Sequence, residues 1–157
     1  MVIREAGLMF RGFTVCNGKF HQTGAGEIDA DLRSGLLTAM LNFAETAFTS
    51  EPIEYFEGKK FVIAFTQDEC LADDSRQPEP LIGFAILDKR KKLDKYIKKV
   101  LIPLLKKVIN KFKTEFEGKN LSEISQFRGF HVEIEKIFGM ESKKIDQRLT
   151  GLFTQKL

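Results

Sequence analysis

The chain has 157 residues, of which 43% are hydrophobic and 30% charged, with a formal net charge of +3. That suffices for one domain with a real core and is too short for two comfortable ones, so residues 1–157 are read as a single domain. The balance excludes disordered, collagen-like and disulfide-scaffold classes, and no apolar run approaches the ~20 residues of a membrane span. Arg4 and Glu5 interrupt the stretch where a signal peptide needs apolar residues. Cys16 and Cys70 lack CxxC spacing and are expected to stay reduced, so a soluble, cytoplasmic protein is expected. Phe is 15 against Tyr 2 and Trp 0, a bias toward core filling over polar-tipped contact surfaces.

Ile3 to about Gln22 reads as two strands, with turn signals at Arg11-Gly12 and Asn17-Gly18; either can be the hairpin turn, and the other a bulge. Thr23–Glu27 is a loop. Asp29 or Asp31 then caps a helix running to about Phe48. Ile53–Phe56 is a short strand, Glu57-Gly58 a turn, and Lys60–Thr66 the returning strand. Gln67–Pro80 reads as an acidic loop kept irregular by Pro78 and Pro80. The unbroken apolar run Leu81–Leu87 predicts a central strand buried on both faces.

Leu93–Phe116 is a long amphipathic helix with a bend predicted near residues 99–103 by Pro103. Asn120 and Glu123 have capping-box spacing for a further helix carrying Ile124, Phe127, Ile134, Ile137 and Phe138, stopped by Gly139. Ile145, Leu149 and Leu152 suggest a short terminal helix. The order β-β-α-β-β-β-α-α predicts an α/β (α+β) fold: a five-stranded sheet with one helix on one face and two on the other.

Catalytic signatures are not found. There is no GxSxG, P-loop or dinucleotide glycine pattern, and Gly24-Ala25-Gly26 is too short for a phosphate loop. His21 and His131 have no partner at metal-ligand spacing, and the 67–80 carboxylates lack a Ca²⁺-loop pattern. No catalytic, metal or cofactor residue is assigned.

Charge is unevenly placed. Residues 1–88 carry a net −7 and residues 89–157 a net +10. Residues 89–113 hold 11 basic side chains and a single acid, Asp94. Lys91, Lys92, Lys95, Lys99 and Lys106 are the candidate patch for an anionic lipid surface or an acidic partner, against the plainer reading of a solvated helix face. Lys far outnumbers Arg and few aromatics interleave, so nucleic acid is not expected.

The first helix has an apolar arc of roughly 200°, about twice what one sheet contact needs. Leu37, Leu41 and Phe48 lie on one flank of that arc. Either loops cover this flank, or it joins Ile53–Phe56 in a protein interface.

Four strings carry a family resemblance: IREAGLMF, IDADLRSGLLTAMLNFAETAF, IEYFEGKKFVIAFT and PLIGFAILDKRKKLDKYIKKVLIPLL, together spanning about residues 3–116. The chain resembles longin-domain proteins of the longin and roadblock group, and most of all the stand-alone longin-type proteins of archaea. Roadblock proteins begin with a helix where this chain begins with strands. The long acidic 67–80 loop departs from the pattern. So does the lack of a following anchor segment of the synaptobrevin type, so a fusion role is not expected. The resemblance implies a mainly antiparallel sheet in the order β2-β1-β5-β4-β3, no enzyme activity, and a platform role in vesicle trafficking and small-GTPase regulation. It implies homo- or heterodimers with another longin or roadblock chain, paired through the first helix and third strand at Leu37, Leu41, Phe48, Ile53 and Tyr55. Alternatives are a peripheral membrane-binding module using the basic helix, or a PAS-like small-molecule sensor.

Overall fold

A computed structural model of the chain describes residues 3–21, 30–47 and 53–139. The expected loop at 23–27, the cap at Asp29 or Asp31, the helix end at Phe48 and the terminal helix at Ile145–Leu152 lie outside what is described. The fold is α+β. Strands β1 (Ile3–Phe10), β2 (Phe13–Lys19), β3 (Tyr55–Glu57), β4 (Phe61–Cys70) and β5 (Glu79–Asp88) form one sheet in the order β2-β1-β5-β4-β3. Every neighbouring pair is antiparallel.

The first hairpin turns at Arg11-Gly12, where both residues have positive φ, 53° and 80°. Two such residues in succession match the right-handed twist of the strands. Asn17-Gly18 runs inside β2 instead, opposite Gly7 and Ala6. The irregularity falls at Val15, which the pairing skips between Leu8–Cys16 and Met9–Thr14. The sheet is tightest at Gly7. A Cβ there would stand 2.6 Å from the Cys16 carbonyl oxygen and 2.9 Å from the Phe84 ring.

β5 is central, and Leu81–Leu87 is buried throughout. Ile82, Phe84 and Ile86 enter one core layer; Leu81, Ala85 and Leu87 enter the other. A strand buried on both faces has no polar alternation, which is why it reads as one apolar run. The acidic 67–80 segment is not one loop. Gln67–Cys70 continues β4 and Glu79-Pro80 begins β5, leaving only residues 71–78 between the strands. Pro80 is tolerated because it lies past Phe10–Leu81, the last pair with β1, where β5 has one strand neighbour.

Helix α1 (Ala30–Ala47) covers one face of the sheet. The other face carries α2 (Leu93–Tyr96), a π-helical segment (Ile97–Leu101), α3 (Ile102–Phe116), a 3₁₀ segment (Ile124–Phe130) and α4 (His131–Phe138). The bend expected from Pro103 takes the form of the π turn. Pro103 has no N–H for the Lys99 carbonyl and its ring crowds that oxygen; a widened turn just before it accommodates both.

The helix expected from Asn120 onward is split. Asn120 Oδ1 accepts the Ser122 N–H at 2.9 Å, a local turn and not a helix cap. Side chains three apart on a 3₁₀ turn lie on one line. Phe127 and Phe130 thereby meet Phe112 together, with ring centroids 5.1 and 5.5 Å away. Phe116 completes the cluster, 4.8 Å from Phe127.

Candidate functional site

Helix α1 is oriented by polar groups. Arg33 Nη1 donates to Glu5 Oε2 at 3.1 Å, and Asn17 Nδ2 donates to Glu5 Oε1 at 2.8 Å. The Glu5 side chain is 2% exposed, so this carboxylate is in the protein interior and matched there by a guanidinium. The hydroxyls of Thr14 and Ser34, the residue next to Arg33, bond to each other, also buried. Arg33, Ser34, Leu37 and Leu41 share one helical face by their spacing. Leu37 and Leu41 therefore point into the core layer of Met9, Phe65, Ile82, Phe84 and Ile86.

This reverses the flank assigned from sequence. Leu37 and Leu41 are 5% and 3% exposed and cannot form an open surface. Ile53 is half-buried against the same core layer, and Tyr55 is half-buried against the layer on the opposite face. Phe48 lies outside the described residues. The open apolar row is Leu32, Leu36, Met40 and Phe43, exposed by 72, 61, 41 and 64%. Their spacing of four, four and three keeps them on one side of the helix, away from the sheet. Phe13, at the start of the neighbouring β2, is a further half-exposed aromatic. A wide apolar arc does not say which half faces inward. The signal that does is Glu5: a buried acid in β1 whose strand neighbour Arg4 is taken by Asp88 requires a cation from the covering element, and Arg33 is the only basic residue in α1.

The basic segment is on the opposite face of the sheet. Five of its side chains are engaged. Lys89, Lys98 and Lys111 pair with Glu57, Asp94 and Glu133 at 3.2, 3.3 and 3.3 Å, and Lys113 with Asp68 at 3.3 Å. Arg90 stacks on the Tyr96 ring, 3.5 Å from its centroid. Lys91, Lys92, Lys95, Lys99 and Lys106, the predicted patch, are all exposed and make no ion pair among the described residues, as is also true of Lys107.

Other chemistry-bearing groups are dispersed. Cys16 and Cys70 are free and buried, and burial pushes both thiols up, Cys70 to about 11. Exposed His131 donates through Nδ1 to the Arg128 carbonyl at 2.5 Å. Among the described residues no three His, Cys, Asp or Glu side chains gather as a metal site. No helix among them is long and apolar enough to cross a membrane. The chain is thus an open antiparallel sheet covered on both faces, with an apolar outer row on one side and an unpaired lysine row on the other. No protein-family model matches it, and no curated protein matches it.

Proposed function

We propose that the chain is a non-enzymatic binding module that pairs through the outer face of α1 and serves as a platform for a small GTPase in membrane-trafficking-type processes. The observation that carries this reading is the row Leu32, Leu36, Met40 and Phe43, four large apolar side chains facing solvent on one helix. Contiguous apolar surface of this kind marks protein contacts more often than it marks idle surface. Support also comes from the strand order β2-β1-β5-β4-β3, with one helix between β2 and β3 and the others after β5, the layout that the longin resemblance implies. The partner is a second copy or another longin or roadblock chain, set helix against helix.

The test is solution mass by light scattering on the wild type and on Leu36→Asp with Phe43→Asp. Both positions are exposed, so the variant keeps its fold by circular dichroism. A wild-type dimer and a folded monomeric variant support pairing on this face. A monomeric wild type at tens of micromolar removes the homodimer. The GTPase is tested separately, by fluorescence anisotropy of small GTPases from the same genome carrying labelled GDP or a GTP analogue. No binding by any of them overturns that part.

A further inference from the structure

Ile97, Leu101, Leu105 and Ile109 are buried at intervals of four; Lys99, Pro103 and Lys107 stand midway between them and Lys95 two residues before the first, all exposed. Steps of four on a regular α-helix drift by about 40° each, which turns such a row steadily around the axis. The π turn at Ile97–Leu101 is wider and takes up part of that drift just where the row begins. The inner row stays on the sheet, and the outer one stays opposite it. Lys91 and Lys92 precede the outer row and Lys106 flanks it.

We infer that this lysine row is a docking surface for an anionic membrane, holding the domain on a bilayer by its α2–α3 face. Charge complementarity argues for that occupant. Asp94, Glu57, Glu133 and Asp68 are paired with Lys98, Lys89, Lys111 and Lys113, Glu117 also pairs with Lys113, and Asp68 attracts Lys106 without an ion pair; six exposed lysines make no ion pair among the described residues. The segment's single arginine, Arg90, is half-buried and stacks on the Tyr96 ring. Lysines alone, as hydrated point charges without bidentate forks or stacking aromatics, suit a diffuse plane of lipid phosphates and carboxylates. They suit base or backbone reading of nucleic acid poorly. α1 lies on the other face of the sheet, so a domain held this way presents Leu32, Leu36, Met40 and Phe43 away from the bilayer.

Co-sedimentation of the full chain with phosphatidylcholine vesicles, with and without phosphatidylserine, tests it. Binding is expected only with phosphatidylserine and is expected to fall steeply as salt is raised. Lys95→Glu, Lys99→Glu and Lys107→Glu together should lower partitioning roughly tenfold or more. The same charge change at Lys19, Lys59 and Lys60, which are exposed elsewhere, should lower it much less. Equal loss in the two triple variants reduces the effect to net charge and overturns the assignment. So does absence of wild-type binding at low salt, or tighter binding to a random-sequence DNA duplex than to the anionic vesicles.

Discussion

Arg33 of α1 closes over Glu5 of β1, and this contact sets which part of the helix's wide apolar arc is buried. A carboxylate in the interior is costly to strand, so the pair acts as an orientation device as much as a source of stability. Removing Arg33 alone, as Arg33→Met, leaves Glu5 without its cation and should lower unfolding stability by about 3 kcal/mol. Glu5→Gln with Arg33→Met should recover much of that loss. Urea denaturation of the two single variants and the double closes the cycle, and simple additivity would deny the coupling.

The two faces of α1 should respond in opposite ways to truncation. Leu41→Ala opens a hole beneath the helix and should cost about 2–5 kcal/mol. Leu36→Ala, five residues away on the outer row and 61% exposed, should stay within about 0.5 kcal/mol in the monomer. Denaturation midpoints at a protein concentration low enough to keep the chain monomeric decide this. A large loss at Leu36 with none at Leu41 would mean the helix lies the other way round.

The strands are more legible in the sequence than the helices' orientations. Leu81–Leu87 declares a two-sided strand because nothing polar interrupts it. The acidic stretch misleads because Gln67, Asp68 and Glu69 are exposed on β4 past the end of its pairing with β3. Polar composition there reflects an uncovered edge and not a loop; Asp68 Oδ1 even accepts the Glu69 N–H at 2.8 Å, occupying a donor on the strand. The split of the last helices rests on the spacing of Phe127 and Phe130 against a cluster on α3, a tertiary fact that local periodicity does not contain. The inward half of α1 was recoverable in principle, from Glu5 and Arg33 read as a pair across 28 residues.

The Arg11 turn gives a pH dependence of defined sign. Arg11 Nη2 donates to Glu79 at 2.6 Å and to Asp74 at 2.9 Å. Its hydrogen bonds hold both carboxyls below their ordinary values of 4.5 and 3.8. A depressed acid contributes stability that is present above its unfolded value and lost as pH falls through the folded one. The contribution is therefore whole at neutral pH and disappears only in acid, below the normal carboxylate range. Melting temperature from pH 7 down to pH 2 should fall less steeply for Arg11→Gln than for the wild type, because the variant lacks this difference at the outset. Parallel curves would mean the cluster is too solvated to matter.

Thiol reactivity probes one core layer at two places, since Cys16 and Cys70 both belong to the layer under α3 and α4. Cys16 sits at 8% exposure on β2 and Cys70 is fully buried at the end of β4. Burial raises both thiols, with Glu117 adding to the effect at Cys70, so at pH 8 almost no thiolate is present at either position. Ellman's reagent should find no fast-reacting thiol in the native protein, and both should react at once in denaturant. In moderate urea the reaction should follow local opening. Cys16 lies on an edge strand beside the skipped Val15, where the pairing with β1 is irregular, while Cys70 pairs with Glu79 at the far end of the β4–β5 ladder. Cys16 is expected to react first, and peptide mapping of the labelled chain identifies which does. Simultaneous labelling would indicate that the sheet opens only as a whole.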